Sequence, residues 1–203
     1  MAKKLLIATK NKGKVREYRE LLADMPFDVL SLADVGIDAD VEETGETFEE
    51  NALLKARAYA RLSGLLTWAD DSGLAVDALA GWPGVHSARH AGPDATDADR
   101  IDILLQRLVA TPAQERHAAF HCVVAIATPE GRAWTTEGMC AGVIIEQPRG
   151  AGGFGYDPIF FVPDLGKTFA QLAPEEKNAI SHRGIAARKA AALLAQLTAQ
   201  GEI

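Results

Sequence analysis

Short apolar runs alternate with amphipathic stretches through the first half of the chain. KLLIAT (4–9) is a compact apolar run that stops at Lys10-Asn11-Lys12-Gly13-Lys14, after which VREYRELLAD takes helical spacing. This pattern predicts a strand, a basic turn and a helix N-terminus. FDVLSL (27–32) is a second strand candidate. An acidic loop from Asp38 to Gly45 precedes ETFEENALLKARAYARLSG, whose Phe48, Ala52, Leu53, Ala56, Tyr59 and Ala60 share one helical side. Thr44 or Thr47 is its N-cap, acidic residues in its first turn suit the dipole, and Gly64 ends it.

LLTWA and LAVDAL read as strands around an Asp70-Asp71-Ser72-Gly73 turn, and GWPGVHSARHAGPDAT, rich in Gly and Pro, as loop. DADRIDILLQRLVA is amphipathic, apolar at Ile101, Leu104, Leu105 and Leu108. HAAFHCVVAIATPEGRAWTTEGMCAGVII predicts a hairpin turning at Pro129-Glu130-Gly131. A glycine-rich loop leads into PIFFVP as a strand, and a helical tail rich in Ala and Leu spans about 183–199. Helices and strands alternate early while hairpins dominate late, so the expectation is a mixed α/β sheet rather than a purely parallel one. Without repeats or a linker, residues 1–203 read as one domain.

Composition narrows the setting. With 203 residues, 48% of them hydrophobic, the chain can bury the core of one domain or of two closely joined lobes. A net charge of -7 argues against sequence-independent binding along a nucleic acid polymer, though not against a local basic pocket. Cys122 and Cys140 are too few and too far apart for a zinc cluster or a disulfide scaffold. They read as buried free thiols in a reducing cytoplasm. The apolar run near the N-terminus is too short for a signal peptide and meets lysines at once, and no stretch has membrane-spanning length.

Two phosphate signatures fail on context. Gly150-Ala151-Gly152-Gly153-Phe154-Gly155 satisfies GxGxxG, but extended sequence follows it where a dinucleotide fold needs a helix. ATKNKGKV matches a Walker loop only at Gly13-Lys14. What remains there is a helix N-terminus with three lysines, which is an anion site. Asp70 and Asp71, adjacent in an apolar run, point to opposite faces if extended, and so do not share a proton as a dyad. One caps the turn, and the other is left for a hard cation such as Mg²⁺, which takes one or two carboxylates plus substrate phosphates. Glu42-Glu43-Thr44-Gly45 is the nearest second source of carboxylates. Gly152 to Asp157 offers two aromatics and a carboxylate in a permissive loop, suited to reading a base. In Glu175 to Gly184, Ser181 caps the last helix and sets His182 and Arg183 in its first turn, where an anionic ligand would favour them. Together these elements point to a nucleoside triphosphate and metal-assisted attack by water.

Six ordered blocks carry a resemblance over nearly the whole chain: ATKNKGKVREYRELL, EETGETFEENALLKA, WADDSGLAVDAL with GWPGVHSARHAG, RHAAFHCVVA, GGFGYDPIFF and EEKNAISHRG. The sequence resembles the ITP/XTP pyrophosphatases, inosine triphosphatase-like enzymes that clear non-standard purine nucleotides. The resemblance implies an elongated mixed β-sheet flanked by helices, two lobes with a central cleft (an ITPase-like, anticodon-binding-like α/β fold) and usually a homodimer. It implies Mg²⁺-dependent hydrolysis of ITP, dITP, XTP and dXTP to monophosphate and pyrophosphate. Thr9, Lys10, Asn11, Lys12, Gly13 and Lys14 would hold the triphosphate, chiefly through Asn11 and Lys14. Asp71 would be the general base or a metal-bound carboxylate, and Ser72 would touch substrate. Glu43, with Glu42 beside it, would complete the Mg²⁺ site, and Lys55 would reach phosphate. Phe154, Gly155, Tyr156 and Asp157, with Lys177, His182 and Arg183, would line the base pocket. Many relatives have Gly where this chain has Lys10, which adds positive charge or faces solvent without changing the reaction.

Donors aimed at the 6-oxo group of ITP and XTP would be left unpaired by ATP, which gives such a pocket its selectivity. Two rival readings are a pyrophosphatase for modified pyrimidine nucleotides and a nucleotide-binding regulator without turnover. The block order disfavours the first, and the acidic pairs disfavour the second.

Overall fold

The computed structural model describes residues 3–203. Its strands are β1 (Lys3–Ile7), β2 (Phe27–Ser31), β3 (Leu66–Val76), β4 (His117–Ala127), β5 (Ala133–Ile144), β6 (Phe160–Val162) and β7 (Lys167–Thr168). The helices are α1 (Lys12–Leu21), α2 (Phe48–Ser63), α3 (Asp97–Arg107), α4 (Pro174–Ile180) and α5 (His182–Ala199). The strands form one sheet in the order β2-β1-β3-β4-β5-β6-β7. β1 runs parallel to β2 and β3, whereas β6 runs antiparallel to β5 and β7. The sheet is therefore mixed, as the alternation of early helices and late hairpins predicts. The β4–β5 hairpin closes at Thr128 N to Arg132 O (2.9 Å) and opens at Ile144 N to Arg116 O (2.9 Å).

The chain divides into two compact units, Met1–Asp71 with Cys122–Gly138 and Arg183–Ile203, and Ser72–His121 with Met139–His182. In the first, strand alternation sorts the core into two layers. Leu5, Ile7, Trp68, Cys122, Val124 and Ile126 pack on Tyr18 of α1, on Leu22 that caps its end and on the alanine face of α5. The intervening Leu6, Ala8, Ala69, Val123, Ala125 and Ala127 pack on Ala52, Ala56, Tyr59 and Ala60 of α2. Thr47 caps α2 through a reciprocal box with Glu50, and Gly64 ends it at φ +66°. The second unit has one core, in which Leu74 and Val76 of β3 join Ile101 and Leu104 of α3 and the aromatic rings of Phe120, Phe160 and Phe169.

One expectation is corrected. No turn forms at Asp70-Asp71-Ser72-Gly73: β3 runs through it as an eleven-residue strand. The strand pairs with β1 over Leu66–Trp68 and has β4 as its neighbour on the other side, so sheet pairing rather than a local turn fixes its backbone. β7 and α4 went unread because two strand residues and seven helical ones are too short to show a period. Among the described residues, no helix is long and apolar enough to cross a membrane.

Candidate functional site

The site begins where β1 ends. Asn11 is the N-cap of α1, its Oδ1 accepting from Gly13 N (2.9 Å) and Lys14 N (3.2 Å). Two amides expected to face a phosphate are thus satisfied within the loop. Thr9, Lys10 and Lys12 line a groove of ≈ 880 Å³ with Arg16 and Arg19. Lys10 reaches Asp38 O (3.0 Å) and Asp40 Oδ2 (3.4 Å). Lys14 is not part of this groove: its Nζ sits 2.7 Å from Asp70 Oδ2.

Asp70 anchors a buried network on the α1–α5 face of β3. Lys14, Glu17 and Tyr18, three and four residues apart, share one side of α1. Arg183 Nη1 lies 2.6 Å from Glu17 Oε2, and its Nε 4.0 Å from Asp70 Oδ2. Arg183, which the resemblance assigns to the base pocket, takes part in this ion network. Cys122 Sγ sits 3.9 Å from Asp70 Oδ2 and 3.7 Å from the Tyr18 hydroxyl. Burial by itself raises the Asp70 carboxyl, but Lys14, Arg183 and Lys55 outweigh it and hold it at about 2. Burial and then Asp70 push the Cys122 thiol up to about 12, so it stays a protonated thiol.

Asp71 faces α2 instead. Asn51 and Lys55, one turn apart, present their polar ends to it: Asn51 Nδ2 at 3.1 Å from Oδ2, Lys55 Nζ at 3.5 Å from Oδ1. Lys55 is also 2.5 Å from Glu43 Oε1, so two carboxylates converge on one ammonium. Burial raises the Asp71 carboxyl above the ordinary aspartate range, and Glu43 and Asp70 add to it against Lys55 and Lys14. Lys55 resists its own burial because Asp71, Asp70 and Glu43 favour its charge. Glu42 is exposed and stands outside this arrangement. Among the described residues, no three His, Cys, Asp or Glu side chains are grouped to hold a metal ion. The available donor set is Glu43 with Asp71, and two carboxylates suit Mg²⁺, which completes its shell with phosphates and water.

The second unit holds an aromatic cluster. Asp157 Oδ2 accepts from Phe154 N (2.9 Å) and from Lys177 Nζ (2.7 Å). A Cβ on Gly153 would lie 1.9 Å from that oxygen, and Gly153 has φ +73°, so only glycine fits. Lys177 Nζ lies 4.9 Å from the centre of the half-buried Phe154 ring. His182 stacks on Phe120 at 4.6 Å and 10° and is buried. Gly155 N donates to Asp97 Oδ2 (2.7 Å). Tyr156 acts as a strut, its hydroxyl donating to Ser87 O (2.9 Å) and lying 2.6 Å from His90 Nε2. Ser72 is half-buried in β3.

Asn51 and Glu17 escaped the sequence reading. Both left a signal, because each is a polar residue on the apolar side of its helix, one turn from Lys55 or three residues from Lys14.

The profile of the Ham1 family matches residues 5–193. A dITP/XTP pyrophosphatase of Geobacillus kaustophilus (strain HTA426) is 54% identical over 187 residues, 92% of each chain. One from Geobacter sulfurreducens is 52% identical over 181 residues, 89% of this chain and 91% of its own. A solved Ham1 protein from Coxiella burnetii superposes with a TM-score of 0.87 at 44% identity, covering 96% of this chain and 99% of its own.

Proposed function

The chain belongs to the Ham1 family, and from that premise we propose that it is a nucleoside triphosphate pyrophosphatase acting on non-standard purine nucleotides such as dITP and XTP. Water breaks the α–β phosphoanhydride, leaving the nucleoside monophosphate and pyrophosphate. The observation that carries this reading is the pair Glu43 and Asp71 converging on Lys55, with the Asp71 carboxyl raised by burial. A carboxylate of raised proton affinity is the better general base, and Asp71 takes the proton of the attacking water. Glu43 and Asp71 would hold Mg²⁺, which supplies charge neutralisation at the phosphates and a more acidic water. Asn11 sets the N-terminus of α1 for the triphosphate, with the Lys14 ammonium beside it. Phe154, steadied by Asp157 and Lys177, offers a face for the purine. The proposal includes a homodimer in the cytoplasm, where the free, buried Cys122 and Cys140 stay reduced.

Pyrophosphate release from dITP, XTP, dGTP and ATP, each with and without Mg²⁺, tests this reading. Rapid Mg²⁺-dependent release from dITP and XTP, with little from dGTP or ATP, is expected. Tight binding without release would instead make the protein a nucleotide-binding regulator.

A further inference from the structure

We propose that Asn51 is a positioning residue for hydrolysis, its side-chain amide clasping the Glu43-bearing loop and aiming the Asp71 carboxylate. The inference rests on the role given to Asp71 above. Asn51 is the fourth residue of α2 and is 0% exposed. Asparagine is a poor choice for a buried helical position unless its amide is bonded. Here Oδ1 accepts from Gly45 N (2.8 Å), while Nδ2 donates to Gly45 O (3.3 Å) and to Asp71 Oδ2 (3.1 Å). Both amide hydrogens and one lone pair are used, so only one orientation of the group is satisfied. Flipping it would set an oxygen against a carboxylate and a donor against Gly45 N.

A single side chain thereby ties the backbone two residues after Glu43 to the carboxylate on β3. The Asp71 Oδ2 oxygen is engaged by Asn51, and Oδ1 is left toward Lys55. Gly45 makes the close approach possible: a Cβ there would lie 2.6 Å from Glu50 Cβ and 2.8 Å from Asn51 Oδ1. Two independent features, a fully bonded buried amide and a glycine that only bare backbone can replace, converge on one clasp.

Steady-state hydrolysis of dITP by the full chain, for Asn51→Asp, Gly45→Ala and the double variant, tests it, with a thermal midpoint for each. Asn51→Asp is isosteric, opens no cavity and keeps the acceptor for Gly45 N, but loses both donors. The expected result is a fall in kcat of at least tenfold with KM within threefold, since the phosphate-binding loop is untouched. Gly45→Ala should lower kcat in the same way, and the double variant should be no worse than the worse single one, because both break one clasp. If Asn51→Asp does not fold, Gly45→Ala decides through the same split. A kcat within twofold of the parent, a defect confined to KM, or single losses that multiply in the double variant would overturn the proposal. Failure of the underlying reading is visible separately, as a parent protein that releases no pyrophosphate or an Asp71→Asn variant that stays fully active.

Discussion

The two faces of β3 treat adjacent aspartates in opposite ways. On the α1–α5 face, Asp70 meets Lys14 and, farther off, Arg183, and its carboxyl is held at about 2. On the α2 face, Asp71 meets one shared ammonium, one amide and a second carboxylate nearby, and its carboxyl is raised. Both residues are buried, so desolvation acts on each; the number of compensating cations decides the sign. The Asp70 face is a finished ion network that stabilises. The Asp71 face is under-compensated, which is the condition of a group that exchanges protons or receives a cation.

Asp71→Asn should have the largest effect, cutting hydrolysis about 10²–10⁴-fold while nucleotide binding stays within a few-fold, as pyrophosphate release and a dITP titration would show. Asp70→Asn should act on folding instead. It leaves the half-buried Lys14 beside a neutral amide and Arg183 with Glu17 but no longer Asp70, at a cost of about 2 kcal/mol in urea unfolding. A loss below about 1 kcal/mol there would erase the contrast between the faces.

Acid should separate the pair further. Asp70 is depressed from 3.8 to about 2, so its stabilisation is present above pH 4 and lost as pH falls toward 2, about 2 kcal/mol in all. Asp71 has the opposite sign: its raised carboxyl destabilises the fold when ionised, and protonation relieves this. Unfolding measured from pH 7 to pH 2 should show the Asp70 loss, and Asp70→Asn should flatten it. In the metal-free protein the Asp71 carboxyl, followed by NMR, should titrate above the ordinary aspartate value. Phe154→Ala should give the smallest effect, a several-fold rise in KM for dITP with little change in the thermal midpoint, because the ring is half-buried and loses about 1 kcal/mol of stacking.

Much of this was legible in the residues. The strand–turn–helix at Leu5 to Leu22, the capped helix after Thr47 and the hairpin at Pro129 to Gly131 each follow from local pattern. So does the placing of Asp70 and Asp71 on opposite faces, because side chains alternate along any extended strand. The aromatic loop with Asp157 was also visible, though not that Lys177, twenty residues on, would pair with that carboxylate.

Periodicity and capping are local, so the amino-acid sequence alone determined the longer helices and strands, the mixed sheet and the inventory of lysines, carboxylates and aromatics. Which lysine meets which acid was decided only when helices docked on the sheet. Nothing in the spacing says that Lys14 would meet Asp70, or that Arg183 would pair with Glu17, 166 residues away. The Asp-Asp-Ser-Gly segment reads as a turn by propensity, but lies within an eleven-residue strand that β1 joins over Leu66–Trp68 and β4 flanks on the other side. Long-range pairing and desolvation depend on what lies opposite in space, and a linear chain does not contain that until it is packed.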